Sequence, residues 1–71
     1  MDIPILDEYF LRKFGEQYDM DVHEISSEAM EVLMSYLWPG NARELSNVMQ
    51  SALVACRSDR IQKEDLPESL K

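Results

Sequence analysis

Trp38-Pro39-Gly40-Asn41-Ala42-Arg43-Glu44-Leu45 interrupts the chain between two apolar patterns of helical period, and the reading of that break decides the fold. A proline pushes the residue before it away from helical dihedrals, so Pro39 stops whatever helix arrives from upstream. After Gly40, Asn41 stands three residues before Glu44, the spacing of a capping box with Asn in the place of Ser or Thr, so a new helix is expected to start here. Beyond it, Leu45, Val48, Met49, Ala52, Leu53 and Cys56 recur at the spacing of one helix face. This helix should fade near Arg57-Ser58-Asp59, where Arg57 suits the negative helix end.

Upstream of the break, Ser26 reads as the N-cap of another helix, with Glu28 placed against the positive end of its macrodipole. Ile25 and Met30 have the spacing of a hydrophobic staple. Ala29, Val32, Leu33 and Tyr36 form one stripe of this helix, and Met30, Met34 and Leu37 form a second. At least part of that second stripe is expected to be exposed as a docking surface. Further back, Asp2 can cap a first helix whose apolar residues Ile5, Leu6, Tyr9, Phe10 and Phe14 share a face, with Pro4 tolerated in the first turn and Gly15 near the end. Asp19–Ile25 is a polar connector anchored by Val22 and Ile25. Ile61 is expected to tuck onto the core, and Glu64-Asp65-Leu66 to form one more turn before Pro67. No strand-period alternation is present. The fold class is all-α, a small bundle of three to four helices.

The 71 residues suffice for one modest core, and 45% hydrophobic with 30% charged residues is ordinary for a globular domain. No apolar run approaches the roughly 18 residues of a membrane span and no signal pattern opens the chain, so a cytoplasmic domain with no membrane partner is expected. Fourteen acidic residues against seven basic ones give a net charge of −7. Sequence-independent affinity for DNA comes from Lys and Arg neutralising phosphates, so direct nucleic-acid binding is a poor expectation. Cys56, the single cysteine, reads as a core residue; His23, the single histidine, lacks metal-ligand spacing, and no metal site is expected.

Arg43 breaks a local rule. It sits near the second position of a helix, where a cation is unfavourable by typically 0.3–1 kcal/mol. Local rules are most often broken at functional sites, and an arginine fork beside free helix N–H groups can receive a phosphate oxygen.

Trp38-Pro39-Gly40-Asn41-Ala42-Arg43-Glu44-Leu45 is similar to the W-P-G-N-x-R-E-L signature of the AAA+ ATPase domain of sigma-54-dependent transcriptional activators. Asp2-Ile3-Pro4-Ile5-Leu6 resembles the D-I-P-L-L segment that opens that family's helical lid, and Ile61-Gln62-Lys63-Glu64-Asp65-Leu66-Pro67 resembles the I-x-x-E-D-L-P segment that closes it. The resemblance implies that residues 1–71 are one C-terminal lid subdomain, a fragment of a larger protein whose ATPase core precedes Asp2. It implies that Arg43 is the sensor-II residue reaching the terminal phosphate of bound ATP, with magnesium present in the full-length protein and no nucleotide held by the fragment alone. Asn41 and Glu44 would hold the helix start, Trp38 and Pro39 would wedge the turn, and Ile3 and Pro4 would match the hinge near the adenine. The implied partners are the upstream α/β subdomain, neighbouring subunits of a ring, and sigma-54 RNA polymerase through parts absent from this chain. Departures from the pattern are Leu37 for a small residue or proline, Ala42 for valine, and Gln62-Lys63 for Thr-Pro, the last expected to weaken the cap of the final turn.

Two other classes of function compete. A helix-turn-helix DNA reader would use Ala42, Arg43, Glu44, Ser46, Asn47 and Gln50 as its recognition face, against the acidity of the chain; a salt titration of DNA binding separates the two. A free-standing helical interaction module would use the second stripe. Catalysis by the chain alone ranks last, because a phosphate-cradling G-x-x-x-x-G-K-[ST] loop cannot be made with Gly15 and Gly40 as the only glycines.

Overall fold

Three helices carry the architecture: α1 (Ile3–Gln17), α2 (Ser27–Ser35) and α3 (Asn41–Ala55), in a computed structural model that describes residues 2–70. Asp2 caps α1 by accepting the Ile5 N–H at 3.2 Å, and Pro4 lies in the first turn, where no intrahelical donor is lost. Ser26 caps α2 through its hydroxyl, which accepts the Ala29 N–H at 3.1 Å. α1 packs mainly on α3, and α2 closes the remaining side with the C-terminal turns.

The core face of α3 is the one its spacing predicts, with Leu45, Val48, Met49, Ala52, Leu53 and Cys56 all buried. Ala29 and Leu33 reach the same core from α2, while Val32 and Tyr36 are partly buried against it. Cys56 is a core cysteine whose Sγ lies 3.2 Å from the carbonyl oxygens of both Ser58 and Arg60. Val22 and Ile61 are buried as anchors of the irregular segments.

On α1 the face differs from the expected one. Ile3, Asp7, Phe10, Leu11 and Phe14 point inward, whereas Ile5 and Tyr9 are 65% and 55% exposed. The inward set keeps strict three-and-four spacing only with Asp7 in it, a charged residue that an apolar pattern excludes by type.

A two-residue parallel ladder joins β1 (Glu24–Ile25) to β2 (Arg60–Ile61), pairing Glu24 with Arg60 and Ile25 with Ile61. It is extended by hydrogen bonds from His23 N–H to the Asp59 carbonyl and from Ser26 N–H to the Ile61 carbonyl, both 2.9 Å. The pairing is too short to leave an alternation in the sequence, and the molecule remains an all-α bundle. The Arg60 guanidinium meets the Glu24 carboxylate across the ladder at 2.8 Å.

Lys63–Asp65 form the expected last turn, as 3₁₀ helix, and a second 3₁₀ turn, Glu68–Leu70, follows Pro67. At the Lys63–Asp65 turn the Gln62 side chain makes no capping bond, as the departure from Thr-Pro leads one to expect. The Asp65 carboxylate reaches back and accepts the Gln62 N–H at 2.8 Å, the backward half of a capping box. Among the described residues, no helix is long and apolar enough to cross a membrane.

Candidate functional site

The break that ends α2 is built differently from its sequence reading. α2 stops at Ser35, short of Pro39, with Tyr36 as C-cap. Trp38 turns its indole back under the helix and donates Nε1–H to the Leu33 carbonyl at 2.8 Å, satisfying one of the carbonyls a helix end leaves open. To do so it takes φ 54°, a left-handed conformation unusual for an aromatic residue. Leu37 therefore lies on the turn and not on a helical stripe with Met30 and Met34. It is 93% exposed, Met34 is 55% exposed, and Met30 is partly buried against the core.

The helix start is corrected as well. Gly40 is the N-cap of α3, and Asn41 is its first residue, with φ 54° and no side-chain cap. Asn tolerates that conformation better than most residues, which accounts for its presence without a capping role. Glu44 does perform the service expected of it, one position displaced: its Oε1 accepts the Gly40 N–H at 2.8 Å. Its Oε2 accepts a second bond, from the Tyr36 hydroxyl at 2.8 Å. That bond, together with partial desolvation and the nearby Glu44 charge, raises the Tyr36 pKa above its ordinary value. A Cβ on Gly40 would stand 2.8 Å from the Glu44 Cβ, so only glycine leaves room for this arrangement.

Arg43 emerges from the first turn of α3. It is exposed, and its guanidinium has no hydrogen bond or ion pair with any described residue. The Asn41 N–H goes to the Trp38 carbonyl at 2.9 Å and the Glu44 N–H to the Gly40 carbonyl at 3.3 Å, which leaves the Ala42 and Arg43 N–H groups as the open donors of the helix start. The first turn of α3 thus carries one unpaired guanidinium and two open backbone N–H groups, donor chemistry that fits a phosphate oxygen.

Ile3 is committed to the core, and exposed Pro4 lines a shallow cavity of about 550 Å³ with Asp2, Ile3 and Met34; Arg43 is not among its walls. Of the candidate DNA-reading face, Glu44 is engaged as described, and Gln50 accepts the Tyr18 hydroxyl at 3.0 Å. Among the described residues no three His, Cys, Asp or Glu side chains gather as a metal site, and His23 pairs with Asp21 at 2.7 Å.

A model of the AAA+ ATPase lid domain matches residues 1–71. The chain belongs to the AAA+ ATPase lid family. The lid is 41% identical over 70 residues to nitrogen fixation protein AnfA of Azotobacter vinelandii and, again over 70 residues, to regulatory protein AtoC of Escherichia coli K12, covering 99% of this chain in each case. Transcriptional regulatory protein ZraR of Salmonella typhi is 41% identical over 66 residues, 93% of the lid. The lid spans only 13 to 15% of the length of these relatives.

One residue of chemical interest escaped the sequence reading. Asp7 is 1% exposed, and neither carboxylate oxygen has a hydrogen-bond partner. Desolvation raises its pKa from 3.8 to about 7. Asp7 lines a small cavity with Pro4, Glu8, Leu11, His23, Ile25 and Met30, where α1 faces the start of α2. The signal available was its position four residues after Ile3 and three before Phe10, on the buried period of α1.

Proposed function

We propose that this lid reports the state of bound nucleotide in an ATPase that activates sigma-54 RNA polymerase, with Arg43 as its sensor. The observation that carries the reading is the unpaired guanidinium of Arg43 on a first helical turn that also has two open backbone N–H groups and is held by Glu44. A cation at a helix start gains nothing from the macrodipole, and without an ion pair it gains nothing from a neighbour. Its natural complement is an anion supplied from outside the lid. ATP with magnesium, bound mainly by the upstream α/β subdomain, would supply that anion as its terminal phosphate. Arg43 would then tie lid position to nucleotide state through a charge-assisted bond. Pro4, exposed at the entry to α1, would lie at the hinge toward the adenine, while Ile3 serves the core.

The lid alone is read as non-catalytic and as holding no nucleotide by itself, since one arginine cannot replace a phosphate-cradling loop. Its partners in this reading are the α/β subdomain and the next subunit of a ring, in a cytoplasmic protein, with polymerase contacted elsewhere. Met34 and Leu37, apolar and exposed, are the side chains proposed to dock on them. Arg43→Ala should leave the isolated lid melting at or above the wild-type temperature, because it removes an unpaired cation from the positive helix end. In the intact ATPase the same change should lower hydrolysis at least tenfold or uncouple it from transcription activation. A destabilised lid with a fully active parent enzyme would overturn the sensor reading.

A further inference from the structure

The Glu44 carboxylate holds two bonds that span the break between α2 and α3. Through Oε2 it takes the hydroxyl of Tyr36, the C-cap of α2, and through Oε1 the N–H of Gly40, the N-cap of α3. The Tyr36 ring in turn meets the Trp38 indole edge-on, with centroids 4.9 Å apart and planes at 89°. Trp38 is fixed from the other side by its bond to the Leu33 carbonyl. Two non-glycine residues within this span, Trp38 and Asn41, hold φ 54°. Such backbone relaxes unless the surrounding contacts over-determine it, and strain of this kind collects at functional sites.

Arg43 has no partner of its own among the described residues, so nothing at its side chain fixes its direction. The orientation of the first turn of α3 is set instead by the next residue, Glu44, and through it by Tyr36. A tyrosine hydroxyl is protonated throughout the neutral range, and the bond to Glu44 raises the Tyr36 pKa further, so the donor is always present there.

We infer that Tyr36 and Glu44 are positioning residues for Arg43, their hydrogen bond holding the first turn of α3 where the guanidinium can reach a nucleotide phosphate. This rests on the sensor reading of Arg43. A displacement of about 1 Å in a charged group can cost on the order of 10²-fold in rate, so loss of one restraint should be visible in turnover while the fold survives.

The test is a double-mutant cycle in the intact ATPase, comparing wild type, Tyr36→Phe, Arg43→Ala and the double variant for kcat, KM for ATP and melting temperature. Tyr36→Phe removes only the hydroxyl. It is expected to lower kcat by about three- to tenfold with the melt nearly unchanged, and to have no further effect once Arg43 is alanine. Glu44→Ala, which removes both bonds, runs as a second cycle and should give the larger loss in the wild-type background, again absent without Arg43. A kcat that falls by the same factor in both backgrounds would mean a role unconnected with Arg43 and overturns the inference. An impaired Arg43→Ala enzyme beside a fully active Tyr36→Phe enzyme overturns the positioning role alone and leaves the sensor standing. A fully active Arg43→Ala enzyme removes the sensor reading and the inference together.

Discussion

Replacing Asp7 should stabilise this lid at neutral and alkaline pH. The carboxyl is 1% exposed with no hydrogen-bond partner, and burial lifts its pKa from 3.8 to about 7. In the unfolded chain the group ionises near 3.8; in the folded lid it keeps its proton until about 7. Below both values the two states are equally protonated and nothing is lost. Between them the folded state binds the extra proton, so stability falls as pH rises, by up to about 1.4 kcal/mol per pH unit. Above about pH 7 both states are ionised and the cost levels off. The gap between the two values corresponds to as much as about 4 kcal/mol, a large share of the roughly 4–10 kcal/mol expected for a domain of this size. Asp7→Asn keeps the shape and removes the proton equilibrium, while Asp7→Ala also removes the orphaned polar group and suits a helix interior. Urea unfolding at half-unit steps from pH 4.5 to 8.5 is the assay. Wild type should lose about 2–4 kcal/mol more than Asp7→Asn across that range, and Asp7→Ala at pH 8 should melt about 10 °C or more above wild type. Parallel stability–pH curves for wild type and Asp7→Asn, or a carboxyl carbon NMR titration near pH 4, would refute the desolvation argument.

Two smaller changes probe the break between α2 and α3. Gly40→Ala places a methyl 2.8 Å from the Glu44 Cβ and 3.1 Å from its Oε1, so it should displace the carboxylate and cost about 1–3 kcal/mol in a melt; an unchanged melting temperature would contradict the packing of Glu44 on Gly40. Asn41 is held at φ 54° without a capping bond, so Asn41→Ser should cost about 1 kcal/mol and Asn41→Gly almost nothing. A capping role predicts instead that serine is harmless, and denaturant melts of both variants distinguish the two.

Legibility followed the strength of the local signal. The caps at Asp2 and Ser26, the buried face of α3 and the core placement of Cys56 and Ile61 each come from side-chain chemistry or period within one segment, and each is present. The α1 face departs from its apolar pattern at Ile5 and Tyr9 because Asp7, a residue that apolar patterning excludes by type, occupies the buried periodic position. The early end of α2 depends on Trp38 folding back on Leu33, and the Tyr36–Glu44 bond crosses the break; neither partner announces the other in sequence. The β1–β2 ladder joins residues 36 apart through two pairs, beneath what alternation can register. For the candidate site, the eight residues from Trp38 to Leu45 single out Arg43 as out of keeping with its helix start, while its exposure and the Tyr36–Glu44 bond beside it are visible only in the fold.

The placement of strain supports a rigid mount more than a mobile arm. Left-handed backbone at Trp38 costs on the order of 1–2 kcal/mol in isolation, less at Asn41, and a domain of 71 residues has little stability to spare. That conformation is kept because the indole bond to Leu33, the edge-on contact of Tyr36 with Trp38 and the two bonds to Glu44 all depend on it. Reorienting the first turn of α3 would break several of these together, and the Leu33 carbonyl would lose its partner inside the core. Motion of Arg43 beyond the flexing of its own side chain therefore requires motion of α2 and α3 as one body. In the proposed function, that is the property a lid needs if a contact at one guanidinium is to shift the whole subdomain.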